Sequence, residues 1–146
     1  MLIGVPPLLG PDLLFALRSM GHGDEVAIVD GNYPAHDHAR RLVRADGHSL
    51  VEVLRAILQV LPLDGAVSAP ILRSALNNDP GQSGPIHAEI DALCARLAPH
   101  SRVEALAGAE LYPRIRAAHT VVATSELALF ANVILRKGVI ARNCPQ

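Results

Sequence analysis

Apolar positions fall in short blocks along the chain, and the spacing inside them changes from one block to the next. Pro11-Asp-Leu-Leu-Phe-Ala-Leu-Arg-Ser-Met20 has helical spacing, with Pro11 suited to the first helical position and Gly21 to a left-handed stop. Glu25-Val-Ala-Ile-Val-Asp30 is an apolar run that ends in a carboxylate, the pattern of a short buried strand. A loop rich in Gly, Pro and His follows. From Ser49 to Leu61 the spacing predicts a helix with Ser49 as its N-cap. Its apolar residues, Leu50 to Leu61, cover most of the circumference, so it is expected to need cover on several sides, from a central core or from another subunit.

The second half repeats the alternation. Gly65 to Pro70 reads as a strand, Asn77 to Pro85 as a loop with turn chemistry at nearly every position, and Ile86 to Leu97 as an amphipathic helix. Arg102 to Leu106 reads as a strand, and Ala109 to Ala118 as a helix bent or begun near Pro113. His119 to Thr124 and Asn132 to Lys137 close the chain as strands. Helices and strands that alternate through short connections predict an α/β fold: a single domain with a largely parallel sheet flanked by helices.

Composition narrows what such a domain can do. Half of the 146 residues are apolar, yet only Phe15, Tyr33, Tyr112 and Phe130 are aromatic, so the core is expected to be aliphatic, with Phe15 part of it. So few rings, and a net charge of −1, argue against a nucleic-acid partner, which would want stacking platforms or a basic stripe. Met1 to Pro11 lacks charge but is about half a membrane span, and no membrane partner is expected. Cys94 and Cys144 form no disulfide framework and no zinc spacing, which reads as a reducing cytoplasm.

The densest polar region is Gly21-His-Gly-Asp-Glu25 followed by Asp30-Gly-Asn-Tyr-Pro-Ala-His-Asp-His38. Asp30 stands where a strand stops, and in α/β sheets ligands gather at the carboxyl ends of strands. His22, between two glycines, is open to general acid or base chemistry. The competing reading makes His22 a loop residue bonded to a carbonyl and Asp30 a turn cap. His36-Asp37-His38 invites a metal, with His22 and Asp30 nearby, but alternate residues of an extended loop face opposite ways and no metal spacing supports it. Thr124-Ser125-Glu126 can donate hydroxyls to a ligand or cap a turn.

Four ordered blocks resemble the RbsD/FucU family of ribose pyranases and fucose mutarotases. They are Met20-Gly-His-Gly-Asp-Glu25, Asp30 with Tyr33-Pro-Ala-His36, Arg44-Ala-Asp-Gly47, and Phe130-Ala-Asn132 running into Arg136-Lys-Gly-Val139. The resemblance covers nearly the whole chain, so it implies one sugar mutarotase-like domain of RbsD-like fold over 1–146, closer to the fucose branch. It implies an isomerase that interconverts the anomers of a free monosaccharide, L-fucose or a related sugar, without any cofactor or metal. The family's acid/base histidine falls on His22, its sugar-binding aspartate on Asp30, and its C-terminal Tyr-x-Asn triplet on Phe130, Ala131 and Asn132. Tyr112 falls on a second, catalytic tyrosine, and His36 joins the substrate-binding set.

The resemblance further implies a ring-like homo-oligomer, commonly a decamer, with sites near subunit boundaries. Two departures stand out. Phe130 lacks the phenol hydroxyl of the family's tyrosine, and Gly108 stands where the family has a basic residue, for which Arg114 or Arg116 is a candidate substitute. These departures leave open a non-catalytic monosaccharide-binding or scaffold protein of the same fold. A third reading, a metal-dependent hydrolase on the His-rich loop, would require activity that chelation abolishes.

Overall fold

The structure is a computed structural model, and it describes residues 1–142. Cys144 lies outside the described residues, while Cys94 is a buried free thiol. The elements run α1 (Pro11–Ser19), β1 (Glu25–Val29), α2 (Ala35–His38), β2 (Leu42–Ala45), α3 (Leu50–Leu58), β3 (Ile71–Ser74), α4 (Pro85–Leu97), β4 (Val103–Leu106), α5 (Gly108–Ala117), β5 (Thr120–Thr124) and β6 (Val133–Arg136). One six-stranded sheet takes the order β2-β5-β1-β6-β3-β4. Strands β2, β5 and β1 are mutually parallel, as are β3 and β4. Only β6 runs the other way, antiparallel to both β1 and β3. The expected α/β fold with a largely parallel sheet is therefore present, in mixed form.

The aliphatic residues divide by strand parity, because successive side chains leave opposite faces. Val26 and Ile28 join α1, α3 and α4 in one core, with Leu13, Leu54 and Ile90 among its members. Ala27 and Val29 join Leu111 and Ile115 of α5 in the other. Two cores, one on each face, make a three-layer sandwich.

Local chemistry explains most element ends. Ser49 Oγ accepts from the Glu52 amide while Glu52 accepts from the Ser49 amide, a complete capping box at the start of α3. Lys137 Nζ donates to the carbonyls of Leu17 (2.9 Å) and Met20 (2.6 Å), so a cation just past β6 closes α1.

Several expectations are corrected. Gly21 does not stop α1 in a left-handed conformation: Met20 is the C-cap, with φ −65°, and the left-handed residue is Gly23, with φ +85°. Phe15 is not core; it is 76% exposed on the outer face of α1. The strand expected at Gly65–Pro70 lies instead at Ile71–Ser74, beginning where the Pro70 carbonyl accepts from the Arg136 amide (2.9 Å). Helix α5 begins at Gly108, one residue before the expected start, and of the two expectations for Pro113 the one that set it within the helix holds. For α3, the first of the two expected sources of cover applies: Leu50, Val53, Leu54 and Ile57 are fully buried in the chain's own core.

Candidate active site

The carboxyl end of β1 opens into a cavity of about 280 Å³ lined by Asp30, Tyr33, His38, Tyr112, Phe130 and Asn132, with Asn32, Pro34 and Leu129. Chain topology makes this mouth. β1 ends there, and antiparallel β6 starts there, so Asp30 and Asn132 arrive from opposite directions on neighbouring strands. Asn132 is locked: its Oδ1 accepts the Asp30 amide (3.1 Å) and its Nδ2 donates to Ser74 Oγ (3.1 Å).

Asp30 is buried, with 6% of its surface exposed. Burial pushes its pKa above the ordinary aspartate value, the amides of Asn32, Ala131 and Tyr33 pull against that rise, and the Glu126 charge adds to it. One oxygen accepts the Asn32 amide (2.9 Å). A shielded carboxylate with acceptor capacity left over is suited to bonding paired hydroxyls of a polyol.

Three rings wall the cavity. Phe130 holds φ +57°, a left-handed conformation unusual for a bulky residue. Its carbonyl accepts from Nε2 of the fully buried His87 (2.8 Å), whose Nδ1 accepts the Gly84 amide (2.9 Å). Tyr33 and Tyr112 meet edge to face, with ring centroids 5.9 Å apart. Gly108 is required by that arrangement, because a Cβ there would lie 2.7 Å from Asn78 Oδ1 and 2.8 Å from the Tyr112 ring. Of the two arginines considered as substitutes for a basic residue at 108, Arg114 pairs with Glu25 at the far end of β1. Arg116 reaches the cavity's outer wall, 3.0 Å from His38 Nε2.

His22 lies elsewhere. It occupies the turn before β1, closed by Asp24 accepting the Gly21 amide (2.7 Å). Glu25 to Val29 spans about 13 Å at roughly 3.3 Å per residue, and His22 and Asp30 flank opposite ends of that strand. His22 Nε2 is 3.2 Å from Asp64, and its side chain is 52% exposed. Asp64 in turn accepts from Arg136 Nε (2.9 Å) and from the Ala66 amide (3.0 Å). The Arg136 hydrogen bond, with help from that amide and from His22, lowers the Asp64 carboxyl to about 2. With Nε2–H donated to a permanent carboxylate, Nδ1 of a neutral His22 is an outward-facing base.

The remaining candidates separate into neighbours and structural residues. His36 is exposed on α2 and lines an adjoining cavity of about 210 Å³ with Asp30, Arg44 and Thr124, away from Tyr112. Thr124-Ser125-Glu126 holds backbone together: Thr124 donates to the Val29 carbonyl, Ser125 accepts the Gly47 amide, and Glu126 accepts the amides of Leu50 and Ala128. The turn-capping reading of that cluster is the right one. Among the described residues no group of three His, Cys, Asp or Glu side chains is gathered as a metal would need.

Residues 3–140 match the model of the RbsD / FucU transport protein family. Fucose mutarotase from Homo sapiens is 40% identical over 146 residues, covering 96% of this chain and 95% of that protein. L-fucose mutarotase from Haemophilus influenzae is 34% identical, with 95% and 97% covered. The chain belongs to the RbsD/FucU family. The solved fucose mutarotase from Streptococcus pneumoniae, in complex with L-fucose, superposes with a TM-score of 0.83 at 34% identity, covering 96% of this chain and all of that one.

Of the residues expected from the sequence, this RbsD/FucU chain brings Asp30, Tyr112, Phe130 and Asn132 to one cavity and leaves His22 and His36 outside its lining, while Tyr33 and His38, not expected there, join it. Their sequence signal was weak. The four-residue helix α2, which turns His38 inward beside Tyr33, has no periodicity to detect. The overlooked buried His87 sits in α4 forty-three residues from the carbonyl it holds.

Proposed function

We propose that this chain is a cofactor-independent isomerase that interconverts the anomers of a free monosaccharide of the L-fucose type by opening and reclosing its ring. One observation carries the reading: a shielded carboxylate, a locked amide and phenol-bearing walls converge on one cavity in a chain whose full-length relatives are named fucose mutarotases. Asp30 and Asn132 are the sugar's anchors. Ring opening removes a proton from the anomeric hydroxyl and delivers one to the ring oxygen, and closure on the other face of the aldehyde reverses both transfers. His22 is the residue proposed for the first transfer, with Tyr112 a hydroxyl-bearing partner at the wall. Ala131 and His36 remain in the proposed substrate-binding set, Ala131 through the Asp30 carboxyl its amide holds and His36 from the adjoining cavity.

Because His22 stands at the opposite end of β1 from Asp30, the His22 that serves a given cavity comes from a neighbouring copy. Leu127 and Leu129 are 87% and 63% exposed, and Leu129 lies at the cavity itself, an apolar rim that a second copy would cover. We therefore propose a ring-like homo-oligomer, a decamer, with sites shared across its boundaries. A cytoplasmic setting suits Cys94, a buried thiol pushed up to about 11 chiefly by burial.

Phe130 and Gly108 favour a second reading, a protein that binds a monosaccharide without turning it over. Saturation-transfer NMR on a panel of sugars separates the two. Faster anomer exchange with L-fucose than in buffer is expected; a sugar-induced rise in melting temperature without any faster exchange would select the binding protein.

A further inference from the structure

We propose that Tyr33, oriented by His38 and Arg116, is the catalytic hydroxyl that exchanges a proton with the sugar's ring oxygen, in the cavity where Phe130 offers none. The inference rests on the mutarotase reading above and adds a residue to it.

The hydrogen-bond directions leave one arrangement for a neutral imidazole. The Arg116 guanidinium can only donate, so at 3.0 Å it makes His38 Nε2 an acceptor. A neutral ring then carries its proton on Nδ1, which lies 2.9 Å from Tyr33 Oη and donates to it. Tyr33 Oη is thus an acceptor towards His38, and its own O–H is left to donate into the cavity. The His38 ring also stands edge-on to the Tyr33 ring, with centroids 5.3 Å apart, which fixes the phenol's direction. Tyr33, Asp30 and Phe130 line the same cavity. A hydroxyl on Tyr33 therefore serves the same bound sugar that the aspartate anchors.

The rest of the environment fits a donor. Burial pushes the Tyr33 phenol up, only partly offset by the Arg116 charge, so it carries its proton at neutral pH. In the forward step the imidazole of His22 takes the proton of the anomeric hydroxyl, the bond from the anomeric carbon to the ring oxygen breaks, and Tyr33 gives its proton to that oxygen. The resulting phenolate keeps the Nδ1–H hydrogen bond of His38, with the Arg116 charge behind it. After the aldehyde rotates, the hydroxyl returns its proton to Tyr33 as it attacks the carbonyl carbon, and the carbonyl oxygen regains the proton held by His22. No atom or electron is gained or lost over the cycle.

Tyr33→Phe is the test, because it removes one oxygen and keeps the ring that packs against Tyr112 and His38. Anomer exchange by saturation-transfer NMR, at saturating L-fucose, is expected to fall by about 100-fold, the lower end of what a positioned proton donor contributes. Half-saturation is expected to stay within about twofold, the signature of a lost transition-state contact. In the Tyr33→Phe background, Phe130→Tyr is expected to restore part of the rate by adding a phenol beside that of Tyr112, from the cavity's other wall. For the positioning pair, Arg116→Lys is expected to retain most of the rate and Arg116→Met to lose it, with half-saturation unchanged in both. Tyr33→Phe with unaltered exchange, in a protein whose wild type accelerates it, would overturn the inference and leave the mutarotase reading standing. Wild type without acceleration would remove that reading first.

Discussion

At the scale of single residues, the backbone of Phe130 is held where a bulky side chain pays of order 1–3 kcal/mol, and His87 is what holds it. Replacing His87 with Leu keeps the buried volume near its present value but removes both hydrogen bonds and orphans the Gly84 amide. A loss of about 1–3 kcal/mol is expected by urea unfolding, together with weaker L-fucose binding, because Phe130 and Asn132 lose their registration. Unchanged affinity in a destabilised variant would show that His87 supports the fold and not the site.

Two shielded aspartates are expected to respond to pH with opposite sign. Burial raises the pKa of Asp30, so its ionised form costs stability at neutral pH, and that cost fades as pH falls through the raised folded value and is gone below the unfolded value near 4. Asp30→Asn should therefore raise the melting temperature at pH 7 by about 2–4 °C and abolish sugar binding, the two proteins converging in stability at acid pH. Asp64 is the reverse case. Arg136 lowers its pKa to about 2, so its contribution is complete above the unfolded value and is lost as pH falls through about 2. Asp64→Asn should unfold at lower urea concentration than wild type at pH 7, with the gap closing near pH 2. A gap that stays constant across that range would show that the Asp64 charge is not what stabilises.

At the scale of elements, what the sequence revealed follows the length of each pattern. Helix α3 is readable because Ser49 announces its start and a long apolar-rich stretch follows, while the reciprocal Glu52 cap is visible only in the structure. Ser49→Ala should cost about 1 kcal/mol by denaturant titration; a change below a few tenths would mean that Glu126, which also accepts the Leu50 amide, supplies the cap alone. Strand β2 escaped notice because it is a four-residue edge strand, only partly buried, with an arginine inside it. Strand β3 was misplaced for a related reason. Arg73 sits in a fully buried strand, and its bidentate pairing with Asp91 of α4 (2.8 and 2.9 Å), invisible along the chain, together with its hydrogen bond to the Ser74 carbonyl (2.9 Å), makes that tolerable.

The antiparallel run of β6 is also hidden, since a four-residue strand of three apolar residues and an arginine carries no mark of its direction. That direction matters to function. It is what brings Asn132 to Asp30 at one end of the sheet, and Arg136 to Glu25 and Asp64 at the other.

At the scale of the whole molecule, Asp30 and His22 were both identifiable from residue types and the blocks around them, but their separation was not. That required knowing that β1 runs straight between them. If both residues serve one sugar, as proposed, the site must be completed by a second copy, and neither partner alone can supply both residues. His22→Ala and Asp30→Asn proteins should each be inactive, and mixing them under conditions that exchange subunits should regenerate some intact sites. A monomer by light scattering would remove that possibility.

The most direct measurement is the rate of α–β anomer exchange of L-fucose, followed by saturation-transfer NMR with wild type, with each of these two variants, and with their mixture. Acceleration over buffer by wild type, its loss in both variants and its partial return in the mixture are the expected results. Exchange in the presence of wild type no faster than in buffer would contradict the reading of this chain as a mutarotase.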